Sequence, residues 1–180
     1  MTGRWTHYAV AAVLATGTGL VACDRGGGSS SSGDGINSAC DLLTTGEVNR
    51  IMGTPMYPGS QDTDRTIPGT FCDWNSKDYV GEEQENPEYS LFVDEASTDE
   101  RRESFKRRRN AKQPETVRGL GDGAYFYIKG TAQVPFLELL VDDRVMTIGV
   151  SGNDLHPVSD EEAKGLERAA AELIVERLKN

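Results

Sequence analysis

Histidine is scarce: the 180-residue chain has two, and only His156 lies beyond the first 22 positions. A histidine-built metal centre is excluded by that count. Positive charge is also short, with 19 Lys+Arg against 29 Asp+Glu and a formal charge of −10. Nucleic-acid phosphates need a basic stripe, so nucleic acid is excluded as a partner. The longest apolar run, about 14 residues ending at Ala22, falls short of the roughly 20 that a spanning helix needs. No Gly-Lys-Ser or Gly-Lys-Thr closes a phosphate loop, and the glycines at 119, 121 and 123 lead into a strand, not a helix. Those glycines suit a left-handed or tight turn. Cysteine is limited to Cys23, Cys40 and Cys72.

The start of the chain has the layout of an export signal. Arg4 supplies a basic region, residues 9–19 an apolar one, and Val21-Ala22 a small-residue cleavage site before Cys23. Leu20-Val21-Ala22-Cys23 resembles the bacterial lipobox, in which the cysteine thiol takes a diacylglycerol and the bond before it is cut. Two acyl chains anchor firmly where one does not. The competing reading is an ordinary signal peptide with an incidental cysteine. Residues 23–35 are then a lipidated Gly/Ser-rich tether with a coil span of about 20 Å. Loss of residues 1–22 leaves 18 Lys+Arg, 29 Asp+Glu and a formal charge of −11, which disfavours docking on anionic headgroups through charge. With Cys23 acylated, Cys40 and Cys72 form an even pair in an exported chain, and a disulfide is expected. Two buried thiols are the other possibility. A thiolate zinc site is excluded if the disulfide forms.

Residues 36–180 read as one domain. Thr44 and Glu47 form a capping box, Leu43 can staple onto Val48, and Gly53 ends the helix. Residues 54–69 are a loop with a short edge strand near Met56-Tyr57. Strands follow over 70–74, with Cys72 and Trp74 on one face, and over 89–93. Trp74 fits a core aromatic beside the disulfide better than a ligand platform. The acidic segment 81–88 holds Glu82, Glu83 and Glu85, without the alternating ligands and central glycine of a calcium loop. Ser97 and Glu100 offer a second capping box, opening a helix with one large apolar anchor, Phe105. The same helix carries Arg101, Arg102, Lys106, Arg107, Arg108, Arg109 and Lys112. Arg101, Arg102, Phe105, Arg108 and Arg109 form a candidate docking face for an acidic partner or anionic envelope polymer; the alternative is a solvated face with intrachain pairs. A strand at 125–128 precedes a hairpin of 134–141 and 144–150 across Asp142-Asp143. Its two-residue turn sets Val141 opposite Arg144, Leu139 opposite Met146 and Leu137 opposite Ile148. Glu138, Leu140, Val145 and Thr147 then share the other face, which implies cover on both. Ser159 caps a last helix whose stripe runs through Ala163, Leu166, Ala170, Leu173, Ile174 and Leu178, with Arg177 and Lys179 suiting its dipole.

The order of these features resembles a known family. Cys40-Asp41-Leu42-Leu43-Thr44 opens a capped helix, Cys72-Asp73-Trp74 brings the second cysteine, and Gly119-Leu120-Gly121-Asp122-Gly123-Ala124-Tyr125 precedes a strand pair and a closing helix. Over about residues 38–179 this resembles the actinobacterial lipoproteins of the domain of unknown function 3558 family. The resemblance implies an envelope lipoprotein with an α+β domain and brings no catalytic residues.

Ser151, Asp154 and His156 share one loop, but a triad needs convergent groups and an oxyanion hole, which one short stretch does not supply. No pair of carboxylates stands out for hydrolysis. The expected fold is α+β, an antiparallel sheet of about five strands with N-terminal and C-terminal helices packed on it. The expected function is a non-enzymatic binding or scaffolding lipoprotein with no cofactor and no metal. It would sit on the extracytoplasmic face of the cell membrane through the lipid on Cys23, facing an envelope protein or polymer. A carrier of a small apolar or lipid ligand would instead need a continuous cavity of roughly 300 Å³ between sheet and helix. An envelope hydrolase would need a cleft with convergent titratable groups.

Overall fold

The computed structural model describes residues 36–62, 68–77, 87–111, 114–128 and 134–180. The expected signal 1–22 and tether 23–35 with Cys23, and Glu82, Glu83, Glu85 and Lys112, lie outside the described residues. The strands are β1 (Ser60–Gln61), β2 (Thr70–Asn75), β3 (Tyr89–Ala96), β4 (Glu115–Val117), β5 (Gly123–Tyr127), β6 (Phe136–Val141) and β7 (Arg144–Gly152). The helices are α1 (Thr45–Met52), α2 (Asp99–Ala111) and α3 (Asp160–Lys179), with a 3-10 turn at Ala39–Asp41. The fold is α+β. Its single antiparallel sheet has seven strands in the order β1-β2-β3-β7-β6-β5-β4, where about five were expected. The added strands are the outermost ones. β1 has two residues and β4 three, too short to show a period of two in sequence. Met56 makes only an isolated bridge to Ser76, so the edge strand sits at 60–61, not at Met56-Tyr57.

Two meanders, β1-β2-β3 and β4-β5-β6-β7, are joined by the long β3–β7 pairing from Tyr89↔Gly152 to Ala96↔Val145. The β6–β7 hairpin has the expected register, with Val141 opposite Arg144, Leu139 opposite Met146 and Leu137 opposite Ile148. Asp142 takes the left-handed conformation at φ 53°, which a short polar side chain tolerates. Gly119 and Gly121 are also left-handed, at φ 81° and 49°.

The first face of the sheet carries Cys72, Trp74, Leu91, Val93, Leu137, Leu139, Met146, Ile148 and Val150 against α3, α1 and the 3-10 turn. Cys40 and Cys72 have their sulfurs at bonding distance, 1.98 Å, with Cα atoms 5.0 Å apart. Trp74 is 1% exposed and belongs to this core. Gly59 is packed against it, since a Cβ there would lie 2.6 Å from Cys72 Sγ and 2.7 Å from Trp74 Nε1.

The helix ends follow local chemistry. Thr44 Oγ1 accepts from Glu47 N at 3.3 Å, Glu47 Oε2 accepts from Thr44 N at 2.7 Å, and Gly53 stops α1 at φ 69°. Ser159 Oγ caps α3 by accepting from Glu162 N at 3.3 Å. For α2 the cap is Thr98, whose Oγ1 accepts from Arg101 N at 3.2 Å, not Ser97. The residue three beyond Thr98 is an arginine, so the Ser97–Glu100 box is replaced by a one-sided cap. Arg177 does more than meet a helix dipole. It donates to the Leu42 carbonyl at 2.6 Å and forks onto Glu47 at 2.7 and 2.9 Å, fastening α3 to α1.

Position 167 was not legible as core. Glu167 is 0% exposed, on the α3 stripe between Ala163 and Ala170. Its Oε1 accepts from Val150 N at 3.2 Å, and its Oε2 has no partner among the described residues. Burial pushes its carboxyl up to about 9 from the ordinary 4.5, although the Val150 and Leu137 N–H groups pull the other way. Folded chain therefore keeps this proton through neutral pH while unfolded chain releases it. The contribution is full below about pH 4.5 and is lost as pH rises towards about 9, at no more than about 1.4 kcal/mol per pH unit. Glu167→Gln keeps the shape and cannot ionise. Melting temperatures across about pH 6 to 9 should fall for the natural chain and stay flatter for the variant, and parallel profiles would contradict a buried neutral acid.

Candidate functional site

The second face of the sheet is divided. Over β5, β6 and β7 it is covered by α2, a helix too polar to be held by apolar burial alone. Phe105 is its anchor: 1% exposed, with its ring centroid 5.0 Å from that of Tyr125 and Val145 in the same cluster. Arginines complete the attachment. Arg108 forks onto Glu138, with Nε 3.0 Å from Oε2 and a second nitrogen on Oε1. It also donates to Ser104 Oγ at 2.9 Å and lies 5.5 Å from the Tyr127 ring centroid. Glu138 is 0% exposed and accepts from the Tyr125 hydroxyl as well. Burial, followed by the Glu138 carboxylate, pushes the Tyr125 hydroxyl well above its ordinary value. Arg101 reaches Asp94 at 3.3 Å and Thr147 at 3.4 Å. Arg102 pairs with Asp99 and donates to the Ser97 and Asp143 carbonyls at 3.0 and 3.1 Å.

Four of the five candidate docking residues are thus engaged within the chain: Phe105, Arg101 and Arg108 turn towards the sheet, and Arg102 ties the helix start to the β6–β7 turn. Arg109 remains exposed, as do Lys106 and Arg107. A nearly all-polar helix gives no periodicity from which its inward face could be read.

Beyond α2 the face is lined by rings. Tyr125, Tyr127, Phe136, Phe92 and Phe71 follow one another with centroid separations of 6.0, 6.1, 5.7 and 5.6 Å. These distances fall in the range of favourable aromatic pairs. Gly149 makes the row continuous, since a Cβ there would lie 2.3 Å from Phe92 Cε1 and 2.7 Å from Phe136 Cδ1. Tyr127, Phe136, Phe92 and Phe71 are each half-buried.

The row ends at the β1–β2 edge in a groove of about 470 Å³ lined by Tyr57, Pro58, Ser60, Phe71, Asp73 and Asn75. Phe71, Asp73 and Asn75 alternate along β2 and so share this face. Tyr57 is 39% exposed and is held by its backbone N–H, which donates to the Asn75 carbonyl at 2.8 Å. Asn75 Nδ2 donates to Asp73 Oδ2 at 2.8 Å. Burial raises the Asp73 carboxyl, and the Asn75 bond offsets part of that rise. A second cavity of about 370 Å³ lies at the end of α3, bounded by Ile36, Val141, Asp142, Arg144, Arg177 and Leu178. Its arginines are engaged, Arg144 with the Ile36 carbonyl at 3.1 Å and Arg177 with Glu47.

The loop trio is not connected as nucleophile and base. Ser151 Oγ is 2.7 Å from Ser90 Oγ, and His156 Nε2 is 3.3 Å from Glu88 Oε1. Among the described residues no three His, Cys, Asp or Glu side chains gather as metal ligands, and no helix is long and apolar enough to cross a membrane. No family model, curated protein or solved structure matches the chain.

Proposed function

We propose that the protein is a lipid-anchored envelope lipoprotein that acts as a non-enzymatic binding module, with the ring-lined half of the sheet's second face as its contact surface. The observation that carries this reading is the row from Tyr127 to Phe71, half-buried and ending in an open groove. Rings that are part apolar and part accessible are the side chains most often used as contact anchors. The location rests on the lipobox-like sequence before Cys23 and on the resemblance to actinobacterial lipoproteins. A Cys40–Cys72 pair at bonding distance suits an oxidising compartment and leaves Cys23 as the one thiol for acylation. A ligand carried between sheet and α3 would lie against Leu137, Leu139, Ile148 and Ile174, all 0% exposed, whereas the rings of the second face are accessible, which favours the binding module. The hydrolase reading lacks a connected nucleophile and base in the 151–156 loop.

Two measurements test the proposal. In detergent phase partition, the natural chain should enter the detergent phase and Cys23→Ala the aqueous one. A photoreactive phenylalanine analogue at position 57 should give covalent adducts on intact cells, while the same analogue at position 172, exposed on α3, should not. Partition unaffected by Cys23→Ala removes the anchor, and absence of adducts from position 57 removes the contact surface.

A further inference from the structure

The groove at the β1–β2 edge has a lining that selects among ligand classes. Three residues bring rings, Tyr57, Pro58 and Phe71, and three bring a hydroxyl, a carboxylate and an amide, Ser60, Asp73 and Asn75. Rings and polar groups are interleaved, because Phe71, Asp73 and Asn75 alternate along β2 and Ser60 stands opposite Asp73 across the strand pair. An apolar ligand would strip water from Asp73 and Asn75 without replacing their hydrogen bonds, at a cost of about 1–3 kcal/mol per group. An anionic ligand would meet Asp73 with no cationic residue among the described lining residues to offset it. Lys77, a cation beside the groove, lies over the Tyr57 ring at 5.6 Å. Asp73 already accepts from Asn75 through Oδ2, which among the described residues leaves Asp73 Oδ1 and the side-chain amide oxygen of Asn75 to accept from hydroxyls.

From these features we infer that the groove binds a neutral saccharide, a terminal or internal unit of a hydroxyl-rich polymer. The C–H face of a pyranose ring matches the exposed Tyr57 ring, and its hydroxyl edge matches Ser60, Asp73 and Asn75. A volume of about 470 Å³ falls within the roughly 300–1,000 Å³ typical of small-ligand sites. The inference rests on the reading of the protein as an envelope binding module and specifies what the module holds.

The test uses the full lipidated chain in a detergent without sugar headgroups. It is titrated calorimetrically with neutral gluco-, manno- and galacto-oligosaccharides, with the corresponding uronate oligosaccharides, and with a lysine-rich peptide. At least one neutral oligosaccharide should bind, and the uronates should bind more weakly. Tyr57→Ala should weaken that binding roughly fivefold through loss of the stacking ring. Asp73→Asn, close in shape, should weaken it roughly tenfold through loss of charge-assisted hydrogen bonds. Unchanged far-ultraviolet circular dichroism and cooperative thermal unfolding show that both variants keep the fold. The inference is overturned if no neutral saccharide binds, if neither variant weakens binding, or if uronates or the peptide bind more tightly. Failure here with adducts still forming from position 57 leaves the binding module standing with a different ligand. Loss of the adducts as well removes the module reading itself.

Discussion

Arg108→Ala should destabilise the domain by about 3 kcal/mol, read from the midpoint of urea unfolding. The substitution leaves Glu138, which is 0% exposed, with the Tyr125 hydroxyl as its remaining recorded side-chain partner. Breaking a buried ion pair from one side typically costs about 3–5 kcal/mol, and the lower end applies because the Arg108 side chain is 36% exposed and water can enter behind it. The pair as a whole contributes much less. Arg108→Met combined with Glu138→Leu should recover most of the loss, since no charge is then left buried. Tyr125 keeps an acceptor in that double variant, because the Phe105 carbonyl lies 3.2 Å from its hydroxyl. If the double variant is as unstable as the single one, the ion pair is not what fastens α2.

The second large effect concerns the disulfide. Cys40→Ser with Cys72→Ser should cost about 3–4 kcal/mol, the loop-closure value for cysteines 32 residues apart. The melting temperature should fall by roughly 10 °C. Reducing the natural chain should produce nearly the same fall, while the variant should not respond to reductant. The bond ties the 3-10 turn to β2, and that turn is one of the elements closing the first face over Trp74. A loss below about 1 kcal/mol in the variant would show that packing alone holds the N-terminal segment in place.

Where a local rule acts alone, the sequence was informative. The α1 cap, Gly53 and the β6–β7 register each depend on residues a few positions apart or on a two-residue turn, and the Cys40–Cys72 pair follows from the cysteine count once Cys23 is set aside for the anchor. Leu140 and Val145, on the same face as Glu138 and Thr147, implied a second covered face, and α2 covers it over β5, β6 and β7. What was missed depends on tertiary partners. β1 and β4 exist because neighbouring strands offer them ladders. The arginines of α2 turn inward because Glu138 and Asp94 lie beneath them, 30 and 7 residues away. Glu167 lies at core spacing in α3, yet its charge places it among the residues expected outside, and the backbone N–H groups of Val150 and Leu137 that meet it come from strands remote in sequence. The ring row joins residues from β2, β3, β5 and β6, so no single stretch displays it.

The proposed function requires a thiol that carries a membrane anchor and a folded module held outside the cytoplasm by it. Mass spectrometry of the N-terminal peptide from protein isolated in its native membrane tests this directly. The account predicts a peptide that begins at Cys23 and carries the mass of a diacylglycerol. A peptide that retains residues 1–22 with an unmodified Cys23 would contradict it.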